Sequence, residues 1–133
     1  MLVKLINIPK VHEERGQLAV IEKDAVPFSI KRVYYLYDVP STAYRGGHAH
    51  TEQESVIIAL SGSFEVIIDD GNTKTSIMLN KPDKGLYIPT GIWREIENFS
   101  SGAVCLVLAS TEFDEADYIR DFEEFKSLKR GNI

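Results

Sequence analysis

The chain has 133 residues, 44% hydrophobic and 26% charged, enough for one buried core. Its net charge of −5 excludes a general nucleic-acid-binding surface, while a local basic cluster would still suit a small anionic ligand. The single cysteine, Cys105, excludes an internal disulfide and points to a reducing compartment, and no apolar run approaches the roughly 20 residues that span a bilayer. The opening stretch Met1-Leu2-Val3-Lys4-Leu5-Ile6 lacks the features of a signal peptide, so a cytoplasmic location is expected.

Taken in chain order, apolar alternation between turn residues predicts strands over 2–8, 17–22, 30–39, 47–50, 55–61, 63–69, 74–79, 85–88, 93–98 and 103–109. The punctuation falls at Gly62, Asp70-Gly71, Pro82-Asp83-Lys84-Gly85, Pro89-Thr90-Gly91 and Ser100-Ser101-Gly102. Asp70-Gly71 between two alternating runs predicts a hairpin. Beyond 109 the character changes: Tyr118, Phe122, Phe125 and Leu128 recur among charges, which predicts one amphipathic helix over about 112–129. Short strands at this spacing imply an all-β sandwich or small barrel. No repeat or linker divides it, so one domain over 1–133 is expected.

Chemistry concentrates in Arg45-Gly46-Gly47-His48-Ala49-His50, which holds two of the three histidines. Strand side chains alternate, so His48 and His50 project from one face, roughly 7 Å apart by strand rise. Imidazole is the side chain whose ordinary pKa suits both acid and base work near neutrality. The same alternation places Arg32 and Tyr34 on one face of their strand and Val33, Tyr35 and Tyr37 on the other. His12 is expected at the surface without a role.

The order His48-x-His50-x-x-x-Glu54, then Gly62, then Pro89-x-Gly91-x-x-Arg94 resembles the two paired motifs of the cupin superfamily. That resemblance implies a double-stranded β-helix, or jelly roll, with the C-terminal helix packed outside it. Cupins usually complete a metal site with a further histidine where this chain has Arg94. Arginine has no lone pair to give and stays protonated, so no metal and no other cofactor are expected. A three-ligand iron site from His48, His50 and Glu54 is the competing reading, which the neighbouring cation disfavours.

Several blocks resemble one narrower group. They are Arg15-Gly16-x-Leu18, 27–35, 45–50, Trp93-Arg94-Glu95, Leu108-Ala109-Ser110 and Asp117-Tyr118-Ile119-Arg120, and they extend from about residue 5 to 126. The chain is similar to the sugar 3,4-ketoisomerases that act on dTDP-4-keto-6-deoxyglucose. The resemblance implies a dTDP-linked keto sugar as substrate, with neither nucleic acid nor membrane as partner, and a homodimer.

It further implies that His48 and His50 shuttle the proton and that Tyr34 stabilises an enediolate. Arg15, Arg32, Arg45 and Arg94 become candidates for the diphosphate or the enediolate oxygens. Glu54, at the former ligand position, becomes a candidate for fixing a histidine tautomer. Tyr35 is assigned to the substrate, with stacking on thymine and packing at a subunit interface both open to Tyr35, Tyr37 and Trp93. A sugar-nucleotide 3,5-epimerase of the same fold and a non-catalytic sugar-binding cupin are the alternatives. Epimerases resemble a motif set with a histidine–aspartate pair on separated strands, and the His-Ala-His doublet argues against them.

Overall fold

A computed structural model describes residues 2–131. Two five-stranded antiparallel sheets carry the chain. The first runs β1 (Lys4–Asn7), β9 (Lys84–Ile88), β6 (Ser55–Ser61), β11 (Val104–Ala109) and β4 (Arg32–Leu36). The second runs β12 (Tyr118–Ile119), β5 (Tyr44–His50), β10 (Trp93–Glu97), β7 (Phe64–Asp69) and β8 (Lys74–Leu79). Helix α1 (Phe122–Gly131) packs against the second sheet through Phe125, which contacts Trp93. This is the expected all-β jelly roll with a C-terminal helix.

The alternation that predicted the strands also builds the core. Along β7, Phe64, Val66 and Ile68 are buried while Glu65, Ile67 and Asp69 reach toward solvent. They meet Ile57 and Ala59 of β6, Leu86 and Ile88 of β9, and Cys105 and Val107 of β11 between the sheets. Strand β6 reads as an unbroken apolar run because its outer side is covered too. There Val56 and Ile58 pack with Ile8, Val26 and Leu108.

Two expectations about the elements are corrected. The strand predicted over 17–22 is one arm of a separate hairpin, β2 (Lys10–Glu13) with β3 (Gly16–Ala19), which pairs with no other strand among the described residues. The tail is not one helix over 112–129. Asp114 accepts from the amide of Ala116 and starts a short 3₁₀ turn at Glu115–Asp117. Tyr118 and Ile119 then pair with His50 and Ala49 of β5, so α1 begins only at Phe122. Aromatic periodicity over 118–128 joined a strand residue to a helix it does not enter.

Candidate active site

Strand β5 carries the site because it is irregular. Opposite β10, Arg94 pairs with His48 and Ile96 pairs with Arg45, so β5 spends one more residue than its partner across that interval. The result is a β-bulge, with Gly47 at φ +26°, a value that favours glycine. A side-chain carbon there would also stand 3.1 Å from the Tyr44 hydroxyl. Residues 45 and 48 would face opposite ways on a regular strand; after the bulge both line one cavity. Arg45 reaches the site through this extra residue.

His48 lines that cavity and His50 is fully buried beside it. Their rings meet edge to face with centroids 4.8 Å apart, closer than strand rise alone predicts. Tyr118 packs against both, at 4.9 Å from His48 and 4.4 Å from His50. His50 Nδ1 lies 2.9 Å from Asp117 Oδ2. Asp117 also accepts from the amides of Thr51, Glu52 and Gln53 and from the Thr51 hydroxyl. Burial pushes the Asp117 carboxyl up, but these donors outweigh it and hold the group below the ordinary carboxylate value.

An ionised carboxylate only accepts, so His50 Nδ1 carries the hydrogen and Nε2 keeps its lone pair. Burial first, and then the Arg94 charge, pull the His50 pKa down to about 4 against the opposing pull of Asp117. His50 is therefore a neutral imidazole of fixed tautomer at physiological pH. Its Nε2 has no hydrogen-bond partner among the described residues.

The cavity encloses about 320 Å³ between the sheets, within the size class of small-molecule sites. Its wall includes Arg32, Arg45, Arg94 and Arg120 and, among the described residues, no carboxylate. Arg94 is almost wholly buried, and burial lowers its pKa to about 10, so it stays a cation at neutral pH. Tyr34 faces the same space, and burial, partly offset by Arg94, keeps its phenol protonated and able to donate. Facing Arg32, Tyr34 and Leu36 inward leaves Val33, Tyr35 and Tyr37 on the outer side, as alternation predicts.

Three candidates stand elsewhere. Glu54 does not approach either histidine: it accepts from the Tyr87 hydroxyl at 2.6 Å on the outer side of the sheet. The inward residue is Gln53, fully buried and bonded to Arg32, so the motif is offset by one position in space. Arg15 sits on the β2–β3 hairpin, its side chain 88% exposed and paired with Glu13 at 2.8 Å. Tyr35 is 59% exposed and packs on Tyr37 rather than lining the cavity.

The structure brings in Gln53, Asp117, Tyr118 and Arg120, which strand patterning alone does not flag. The block 117–120 was a visible signal, but the predicted helix concealed its place. Among the described residues no group of three or more His, Cys, Asp or Glu side chains is placed to hold a metal ion. No described helix is long and apolar enough to cross a membrane.

Comparison with known proteins fits this geometry. A family model described as FdtA: WxcM-like, C-terminal, matches residues 1–130. The TDP-4-oxo-6-deoxy-alpha-D-glucose-3,4-oxoisomerase of Aneurinibacillus thermoaerophilus is 48% identical over 124 residues, covering 92% of this chain and 89% of the relative. The crystal structure of a 3,4-ketoisomerase from Helicobacter canadensis superposes with a TM-score of 0.94 at 45% identity, covering 97% of this chain and 98% of its own. A histidine-to-asparagine mutant of the 3,4-ketoisomerase QdtA from Thermoanaerobacterium thermosaccharolyticum, in complex with TDP-4-keto-6-deoxyglucose, superposes with a TM-score of 0.93. It is 39% identical, with 97% of this chain and 96% of that one covered.

Proposed function

The chain belongs to the FdtA family of cupin-fold sugar 3,4-ketoisomerases, and from that premise we propose that it moves the ketone of dTDP-4-keto-6-deoxyglucose from C4 to C3 through an enediolate. The observation that carries the reading is the pairing of His48 and His50 against a cavity wall rich in arginine and, among the described residues, free of carboxylates. The reaction removes the C3 proton, spreads negative charge over two oxygens, and returns a proton to C4. A neutral imidazole with a fixed lone pair suits the first step, and a guanidinium with a neutral phenol suits the second.

In this reading His50, oriented by Asp117, works with His48 as the proton relay. Tyr34 donates to the developing oxyanion, and Arg94 and Arg32 supply positive charge beside it. Arg45 and Arg120 lie on the more exposed part of the wall, which suits the diphosphate. The donor set does not fit a divalent ion. Arg94 holds the position that would complete it, and an amide rather than a carboxylate faces inward at 53. No step is routed through a metal.

The test is turnover of dTDP-4-keto-6-deoxyglucose in deuterium oxide, followed by NMR. Deuterium is expected at the new C4 position and is expected to disappear in His48→Asn and His50→Asn. A folded double variant with undiminished turnover would remove the relay. Because His50 and Asp117 form the kind of pair expected of 3,5-epimerases, C5 must be followed as well; label there with inversion would favour that activity instead.

A homodimer is part of the proposal. The outer face of edge strand β4 exposes Val33 and Tyr35, with exposed Tyr37 just beyond its end, and the β2–β3 hairpin has no neighbouring strand among the described residues. Sedimentation at twice the 15.0 kDa chain mass is the expected result; a monomer at micromolar concentration would refute it.

A further inference from the structure

Burying a guanidinium is costly unless a partner compensates it, and the usual partner is a carboxylate. Among the described residues, no ion pair involves Arg32 or Arg94. Arg94 makes only long bonds, at 3.3 and 3.4 Å to the carbonyl of Ile92 and 3.5 Å to the Ser55 hydroxyl. Arg32, half-buried, donates from Nη2 to Gln53 Oε1 at 2.9 Å and to the Tyr118 hydroxyl at 3.4 Å. It also lies over the rings of Tyr34 and Phe113 at 4.8 and 5.5 Å, partners that leave its charge intact, while its Nε has no hydrogen-bond acceptor among the described residues.

Gln53 closes the chain between them by donating from Nε2 to Ser55 Oγ at 3.0 Å. Its Oε1 also accepts from Thr111. Glu52 and Glu54 flank it in sequence, yet the side chain turned inward is the uncharged one. Carboxylates occur at this turn and are kept out of the interior.

We propose that Gln53, acting through Ser55, is a positioning residue that holds Arg32 and Arg94 in place without neutralising them, reserving the deep end of the cavity for negative charge on the reacting sugar. The proposal rests on the ketoisomerase reading for its substrate and deepens it. A glutamate at 53 would keep the bond to Arg32 and relieve the uncompensated charge, but would occupy the field the enediolate needs. Stability and turnover should therefore move in opposite directions, a signature that a packing role does not share.

The experiment compares Gln53→Glu with Gln53→Met. The glutamate variant is expected to melt at or above the wild-type temperature while its kcat falls about 10²-fold, the usual loss for one oxyanion-stabilising group. TDP, which lacks the sugar, should bind both variants within about threefold of wild type, since the mouth arginines are untouched. The methionine variant loses the tether but not the charge, so it should melt lower and lose less kcat.

The opposite ordering, with methionine the more damaging to both properties, would overturn the proposal. A second measurement is independent of turnover: the Arg32 and Arg94 Nε–H NMR signals are titrated with inorganic phosphate. Shifts in wild type that vanish in Gln53→Glu support the proposal, and wild-type signals that ignore phosphate refute it. A wild type inert toward dTDP-4-keto-6-deoxyglucose, yet showing the phosphate response, would reject the substrate reading and leave the charge reserve supported.

Discussion

The inside of the cavity and the outside of the sheets treat charge in opposite ways. Outside, cations find carboxylates: Lys10 meets Asp83 at 3.0 Å, Arg15 meets Glu13, and Lys126 meets Glu123 at 3.8 Å, while Arg120, at the exposed rim of the cavity, meets Glu115 through two bonds. Such exposed pairs are worth little individually and are freely made. Inside, Arg32 and Arg94 are held by an amide, two hydroxyls and a carbonyl, and the nearby carboxylate of Asp117 is committed to His50 and to backbone amides. The surface pairs its charges, whereas the interior keeps its positive charge for a ligand at a cost in stability.

The largest test of that contrast sets the two carboxylates against each other. Asp117→Asn presents an amide N–H to His50 Nδ1, favouring the tautomer with hydrogen on Nε2 and removing the lone pair the base needs. We expect kcat to fall by about 10²- to 10⁴-fold, the span of general acid–base catalysis, with TDP affinity little changed. Nitrogen-15 spectra of the ring should report the tautomer switch, and a full-rate variant with the original tautomer would contradict it. Glu54→Gln, outside, should stay within about threefold of wild-type kcat because only the Tyr87 bond changes.

A smaller effect concerns acid stability. The folded pKa of His50 lies near 4 and the ordinary value is 6.5, so the unfolded chain binds the extra proton between those limits. Stability from this group is complete above pH 6.5 and is lost as the pH falls toward 4, by on the order of 3 kcal/mol at most. Denaturant melts of wild type and His50→Gln from pH 4 to 7 should diverge in that window, with the variant flatter. Parallel curves would mean that His50 titrates normally.

Much of the site was legible in the sequence because strands impose a period of two. That period placed His48 with His50 and Arg32 with Tyr34. It could not by itself place Arg45, which precedes the predicted strand 47–50 and faces the cavity only because a bulge inserts one residue and reverses the alternation. It could not decide between Gln53 and Glu54, because the turn entering β6 sets which one points inward, and no pattern of apolar residues encodes that turn. The signal for Tyr118 was present but was read with a helical period. Asp117 stands in the same recognisable block, but its role was out of reach for another reason: its partner is 67 positions away, and such pairings depend on topology rather than on local spacing.

That separation has a consequence for the order of folding. Both sheet neighbours of β5, β10 on one side and β12 on the other, lie far along the chain, so closing the contact between His50 and Asp117 is a long-range event that must follow most of the second sheet. Local hairpins such as β7 with β8 can form first, and the protonation of the buried imidazole is fixed late.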